Sequence, residues 1–357
     1  MINWLLIFIP ITILLEHLAP DRALWIFSAA ALAILPLAGW MGKATEQLAE
    51  RTGEGIGGLL NATFGNAAEL IIALVALRGG LHDVVKASLA GSIVGNILLV
   101  LGAAMLAGGL GRVEQHYNPA GARSQATMLT LAAIALIVPA AYRAIAGESS
   151  GPAVSSISVW MSLILLGVYA ANLIFSLITH RALFAGEEES DTVEHHSVHW
   201  SVGRALLVLG GATALIAWMS EILVGALEPA TAALGLNDVF VGVFVVAILG
   251  NAAEHSTAVV AAMKNRMDLA LSIAIGSSVQ VALFVAPLLV LLSYVIGPKP
   301  MDLAFSGGLV LMIMLAVWIT GQVAADGRSD WLRGVQLLAV YLILALVYLF
   351  VPGSASR

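Results

Sequence analysis

The chain has 357 residues, of which 60% are hydrophobic and only 11% charged, with a formal net charge of −6. Soluble domains carry about 25% charged residues, so this composition excludes a water-exposed globule and turns most of the surface toward lipid. The small net charge and scattered Lys and Arg argue against a nucleic-acid partner, and the absence of Cys excludes disulfides, thiolate metal sites and cysteine catalysis.

In chain order, the requirement of about 20 mostly apolar residues per crossing predicts eleven transmembrane helices. They lie near 2–18, 22–42, 54–77, 84–110, 124–145, 156–182, 201–225, 238–262, 267–296, 302–322 and 331–351. The first begins at Ile2 without a basic leader or a small-residue cleavage site, and reads as a retained span. It is short and ends in Glu16 and His17, which sets it apart from the other ten. Pro20-Asp21, Arg78-Gly79-Gly80, Gly151-Pro152, Gly297-Pro298 and Asp326-Gly327 mark joints between spans. One long polar connection runs from Gly186 to Trp200 and holds five acids, Glu187 to Glu194, with His195, His196 and His199. The expected organisation is an additional helix at 1–18, a five-helix unit at 22–182, an acidic cytoplasmic linker at 183–200, a second five-helix unit at 201–351 and a tail at 352–357.

The two units are copies. GNAAELIIALVA at 65–76 returns as GNAAEHSTAVVA at 250–261, and at that offset of 185 residues 12 of the 32 positions from Gly65 to Asn96 are identical. Asp83 matches Asp268, Gly91 matches Gly276, Ser92 matches Ser277 and Val94 matches Val279. Self-similarity at a fixed displacement marks a duplicated structural unit. An odd number of crossings per unit reverses the second copy, so the fold class expected is an all-α polytopic membrane protein built from two inverted five-helix repeats. Lys and Arg number 10 on the side that carries the linker and 6 on the other. The positive-inside rule then puts the N-terminus and linker in the cytoplasm and the C-terminus outside.

Each copy places one acid, Glu69 or Glu254, in a stretch otherwise almost free of charge. Such a group costs several kcal/mol unless it is paired, hydrated or bound to an ion. Asn61, Gly65 and Glu69 share one helix face at spacings of four, and Gly250 precedes Glu254 in the same way. Asn66 and Asn251 adjoin them, and the partner helices bring Ser92 and Asn96 on one side, Ser277 and Gln280 on the other. An oxygen-rich, sulfur-free, doubly acidic set suits a hard divalent cation, and Ca²⁺ with its flexible coordination better than Mg²⁺ or zinc. Two carboxylates balance the charge of such an ion. When it leaves, protons take its place on the same oxygens, the two acids titrating as a pair. The expectation is obligatory cation/proton counter-transport by alternating access.

The paired GNAAE motifs, followed by GSIVGN at 91–96 and GSSVQV at 276–281, resemble the α-repeats of the calcium/cation antiporter superfamily, in particular its Ca²⁺/H⁺ exchanger (CAX-type) branch. The resemblance covers essentially the whole chain. It implies a sodium/calcium-exchanger-like fold and a secondary antiporter, not an enzyme, that exports cytoplasmic Ca²⁺ or other divalent cations in exchange for H⁺. No cofactor is implied beyond these transported ions. By motif position, Glu69 and Glu254 match the ion- and proton-binding acids, and Asn66, Asn251, Ser92, Ser277 and Gln280 match the polar ligands around them. His255 matches the His that follows the second acid in proton-coupled members and is a candidate relay. The sodium-coupled branch usually has Pro before each acid, where this chain has Ala68 and Ala253, which favours H⁺ as the coupling ion. The implied setting is the lipid bilayer of a prokaryotic plasma membrane, and a homo-oligomer is compatible with it.

Blander readings stand beside these. Asn96 and Ser278 fit interhelical hydrogen bonds as well as a site, and Glu221 either lines the cation path or sits at an interface. Asp83 and Asp268 stand at helix starts and read as N-terminal caps. The acidic linker is either an ion- or pH-sensing segment or a solvated tether. Competing functions are a Na⁺-coupled Ca²⁺ exchanger, an Mn²⁺ or monovalent cation/proton antiporter and, more distantly, a cation channel. A zinc-dependent membrane enzyme lacks its His-Glu-x-x-His motif.

Overall fold

The computed structural model describes residues 3–52, 54–147, 150–180 and 200–351. Most of the expected linker at 183–200, and the tail at 352–357, lie outside the described residues. With no water in a bilayer core, backbone groups must be satisfied within the chain, and helices achieve this segment by segment. The first half follows that rule with α1 (Phe8–Leu18), α2 (Ala23–Thr52), α3 (Glu54–Phe64), α4 (Ala67–Arg78), α5 (His82–Val94), α6 (Leu101–Gly109), α7 (Pro119–Ala146) and α8 (Gly151–Ile174). The second half contains α9 (Val202–Gly225), α10 (Leu227–Leu234), α11 (Asp238–Val241), α12 (Ala247–Met263), α13 (Met267–Gln280), α14 (Ala286–Ile296), α15 (Gly307–Ala324) and α16 (Trp331–Leu349). Two-residue strands β1 (Gln115–His116) and β2 (Arg328–Ser329) pair antiparallel.

Among the described residues, eight helices are long and apolar enough to cross a membrane, or nine if the bent pair Leu227–Leu234 and Asp238–Ala252 is one span. Eleven were expected, and the difference has local causes. The N-terminal apolar helix Asn3–Leu18 is short. The third predicted span is broken at Gly65-Asn66 into helices of 11 and 12 residues, where two poor helix formers stand together. The eighth follows a bend of 111° and opens with a π-helical turn, Gly242–Val246. Further π turns at Gly95–Val100 and Val281–Val285 join α5 to α6 and α13 to α14. They occupy equivalent places in the two copies, directly beyond the helices that carry Ser92 and Ser277. Such turns recur at functional sites because they re-aim the side chains around them.

The long helices α2 and α9 lie along one another and share an apolar layer that includes Ile34, Leu37, Met41, Ile216, Met219 and Leu223. A larger core surrounds α5 and α13, with Leu89, Ile93, Ile97, Ile275, Val279 and Leu283 at its centre. The bundle has two recognisable ends. At the end holding the Arg78–Gly80 turn, Lys86 Nζ donates to Asp302 Oδ1 at 2.7 Å and to the Ala304 carbonyl at 3.0 Å, and Arg143 reaches Asp302 Oδ2 at 2.6 Å. These bonds fasten the connection between α14 and α15 to α5 and α7. At the opposite end, where the linker emerges, Trp200 stacks on Trp40 at 5.8 Å and lies beneath Lys43 and Arg204. Its backbone N–H donates to Gln47 Oε1 at 2.8 Å, and Gln115 Nε2 donates to the Ala262 carbonyl at 2.9 Å.

Asp83 and Asp268 do not cap their helices as expected: the N-cap positions are Leu81 and Arg266, and neither helix has a side-chain cap bond. Asp268 instead accepts from the Asn118 backbone N–H at 2.7 Å. Asn118 is itself the cap of α7, its Oδ1 accepting from Ala120 and Gly121, so the acid braces a neighbouring helix start.

Candidate cation site

The break at Gly65-Asn66 puts Glu69 in the first turn of α4, while Glu254 lies within the continuous α12. The two acids interlock through the duplicated glycines. A Cβ on Gly65 would lie 3.2 Å from Glu254 Oε1, and a Cβ on Gly250 would lie 3.4 Å from Glu69 Cβ. Each acid thus packs over the glycine that stands one turn before the other acid, and the missing side chains let the two helices approach this closely.

Glu69 is 3% exposed. Ser92, Asn251 and Glu254 are the polar groups facing it, yet neither of its oxygens has a hydrogen-bond partner. Glu254 Oε2 and Asn251 Oδ1 are likewise buried without a partner. Four buried oxygens form no hydrogen bond, although Ser92 and Asn251 stand close to Glu69 and Ser277 close to Glu254, and a cation or added protons would satisfy them. Among the described residues no three His, Asp or Glu side chains cluster, so amide and hydroxyl oxygens would have to complete any coordination shell.

The duplicated Asn and Ser residues cross-link the copies. Asn251 Nδ2 donates to Ser92 Oγ at 3.1 Å, and Ser277 Oγ donates to Asn66 Oδ1 at 2.8 Å. Three unduplicated polar residues attach to the second of these pairs. Asn66 Nδ2 donates to Gln280 Oε1 at 2.6 Å, Asn96 Nδ2 donates to Ser277 Oγ at 3.1 Å, and His255 Nε2 lies 3.0 Å from Asn96 Oδ1. The result is one chain from His255 through Asn96, Ser277 and Asn66 to Gln280.

The structure therefore gathers Gly65, Asn66, Glu69, Ser92, Asn96, Gly250, Asn251, Glu254, His255, Ser277 and Gln280 in one polar group. Glu221 stands apart from it: more than half exposed, it pairs with Arg78 at 3.3 Å. Ser278 joins helices, donating to the carbonyls of Ile93 and Ala274.

From Ala67 to Leu77, α4 has no exposed residue, whereas Asn61, Gly65, Ser256 and Thr257 are exposed. Ser256 and Thr257, polar residues beside His255 on α12, were not singled out from the sequence, although the first copy carries Ile71 and Ile72 at the equivalent places.

A family model described as sodium/calcium exchanger protein matches residues 22–178 and 204–350. The chain is 43% identical to a Ca²⁺/H⁺ antiporter of Synechocystis sp. over 98% of its own length and 96% of that protein. It is 41% identical to the Ca²⁺/H⁺ antiporter ChaA of Bacillus subtilis, over 90% and 91% of the two chains. Its structure is similar to that of native YfkE, with a TM-score of 0.82 and 36% identity over 97% of this chain and 100% of that one.

Proposed function

Because the chain belongs to the sodium/calcium exchanger protein family and is a secondary active Ca²⁺/H⁺ antiporter of it, we propose that Glu69 and Glu254 are the acids on which Ca²⁺ and protons alternate. The observation that carries this reading is the interlock of the two acids over Gly65 and Gly250, with buried oxygens that form no hydrogen bond. Two carboxylates so placed balance one divalent ion, and the oxygens of Asn66, Asn251, Ser92, Ser277 and Gln280 replace water around it. Ca²⁺ is the cargo here and not a resident cofactor.

In the absence of the ion, protons neutralise the same acids, so the site is loaded in one way or the other whenever it changes sides. Under this reading the chain crosses the membrane eleven times, counting the short N-terminal helix and the two interrupted spans, as two inverted units at 22–182 and 201–351. The surplus of Lys and Arg at the linker end supports a cytoplasmic linker and N-terminus and an external C-terminus. Ca²⁺ then leaves the cytoplasm across the plasma membrane of a prokaryotic cell while protons enter.

The test is Ca²⁺ uptake by purified protein in liposomes, driven separately by imposed H⁺ and Na⁺ gradients. Wild-type uptake is expected with the proton gradient alone, and Glu69→Gln and Glu254→Gln should each abolish it. Undiminished uptake by either variant removes the assigned acids from the reaction.

A further inference from the structure

Glu254 rides on α12, whose last turn ends at Met263. The α-helical ladder is unbroken from Glu254 to that turn, whereas toward its start the helix meets the π turn Gly242–Val246 and, beyond it, the 111° bend. The C-terminal turn therefore sets where α12 stands along its axis. A helix end leaves carbonyls without intrahelical donors, and here the connection between α6 and α7 supplies them. Arg112 donates to the Met263 carbonyl at 3.0 Å. Gln115 Nε2 donates both to the Ala262 carbonyl and to Asn265 Oδ1, each at 2.9 Å. Asn265 is the left-handed residue that ends the helix, with φ 61°, a conformation that Asn tolerates better than most residues. One amide thus holds the final turn of α12 and the residue that terminates it. Gln115 is itself fixed: it is 1% exposed, pairs with Ser329 across the β1–β2 ribbon, and its Oε1 fills the space where a side chain on Gly108 would stand.

We propose that Gln115 is a positioning residue for the exchange: by tying the end of α12 to the first half's connection, it sets the reach of the Glu254 carboxylate over Gly65. The duplication sharpens the assignment. The equivalent of Asn265 in the first copy is Gly80, also left-handed with φ 77°, and the connection between α14 and α15 covers it through Pro298, 3.1 Å from where a Cβ on Gly80 would lie. Each half thus covers the turn that ends the other half's acid-bearing helix. The equivalent of Gln115 is Pro300, which has no side-chain donor, so the amide serves the Glu254 half alone. Ala262 lies about 12 Å from Glu254 along the axis, and an α-helix transmits an axial shift over that length undiminished. A misplacement of about 1 Å at a binding group is enough to weaken its chemistry substantially. The proposal rests on the assignment of Glu254 as an exchanging acid.

The experiment is proton-driven Ca²⁺ uptake in proteoliposomes as a function of Ca²⁺ concentration, with melting temperature measured on the same preparations. Gln115→Met keeps the length of the side chain and removes both donors. It should raise the Ca²⁺ concentration for half-maximal exchange about fivefold while the maximal rate stays within about twofold of wild type. Tyr117→Phe is the structural comparison. It lies in the same connection, but its hydroxyl serves the carbonyls of Val323 and Arg328 and not α12. It should lower the melting temperature and leave the half-saturating concentration unchanged. Asn265→Gly keeps the left-handed turn, which Gly adopts freely, and removes one of the two acceptors. It should shift half-saturation in the same direction as Gln115→Met, by about twofold, and it decides the matter if Gln115→Met does not fold. Wild-type half-saturation in Gln115→Met, or in Asn265→Gly where that variant decides, overturns the proposal, as does an equal shift in Tyr117→Phe. The two readings fail separately. Undiminished uptake by Glu254→Gln removes the acid, whereas an inactive Glu254→Gln beside an unshifted Gln115→Met removes only the role of Gln115.

Discussion

Glu69 packs against Gly250, its Cβ 3.4 Å from where a Cβ on that glycine would lie, and the mirror contact of Glu254 with Gly65 is tighter. At Gly65 a methyl would stand 3.2 Å from the Glu254 carboxylate and 2.8 Å from the Asn61 carbonyl, whereas at Gly250 it would make only ordinary contact. The duplicated glycines are therefore unequal. Gly65→Ala should displace the Glu254 carboxylate and raise the Ca²⁺ concentration for half-maximal exchange about tenfold, a change of roughly 1.4 kcal/mol. Gly250→Ala should stay within about twofold, a few tenths of a kcal/mol. Concentration-dependent uptake in proteoliposomes measures both.

Asn96 has both ends of its amide engaged, Nδ2 on Ser277 and Oδ1 toward His255. Its equivalent in the second copy is Val281, so Asn96→Val imports a residue that the fold already accepts there. The substitution leaves His255 and Ser277 each short of a partner and should cost about 1–3 kcal/mol of stability. Thermal unfolding in detergent reads this loss. The Ca²⁺ concentration dependence of exchange should move less than with Asn251→Ala, because Asn96 Oδ1 is engaged by His255 whereas Asn251 Oδ1 has no hydrogen-bond partner.

Asp302 lies between α14 and α15, outside the spanning helices. Burial alone would raise its pKa, but Lys86, Arg143 and the Ala304 backbone N–H outweigh that and hold it below the usual carboxylate value. A depressed folded-state pKa contributes stability that is fully present above the unfolded value of about 3.9 and is lost as pH falls through the folded value. Acidification below about pH 4 should therefore lower the melting temperature of the wild type more steeply than that of Asp302→Asn. At neutral pH, Asp302→Ala leaves the buried Lys86 ammonium without its carboxylate and should cost about 3–5 kcal/mol.

Glu221 and Arg78 are both largely exposed, and an ion pair in that setting contributes little. Glu221→Gln should leave melting temperature and Ca²⁺ dependence close to wild type. A marked loss of apparent Ca²⁺ affinity would assign Glu221 to the cation path after all.

The repeated GNAAE motif made much of the site legible, since an offset of 185 residues names Glu69 with Glu254, Asn66 with Asn251 and Ser92 with Ser277 before any coordinates are known. Composition likewise gave the helical membrane class. What hydropathy cannot register is a helix end inside an apolar run. Residues 54–77 remain apolar through Gly65-Asn66, so the break between α3 and α4 is invisible to a window average. Which polar side chains meet across the two copies was also hidden. Asn96 and Gln280 each stand four or fewer positions from a duplicated Ser, but only the packed helices show both of them engaging the Ser277–Asn66 pair. The expected caps at Asp83 and Asp268 failed because position near a helix start is necessary for a cap but does not orient the side chain.

His255, Asn96 and Gln280 all attach to the half of the site built around Ser277 and Asn66, and their opposite numbers in the other copy are Leu70, Val281 and Gly95. What the copies still share is two acids, two Asn, two Ser and the glycines, the inventory that a single ancestral unit pairing head to tail with itself would have supplied. A chimaera carrying two first copies would keep the acids but lose the His255–Gln280 chain, so the halves are no longer interchangeable parts.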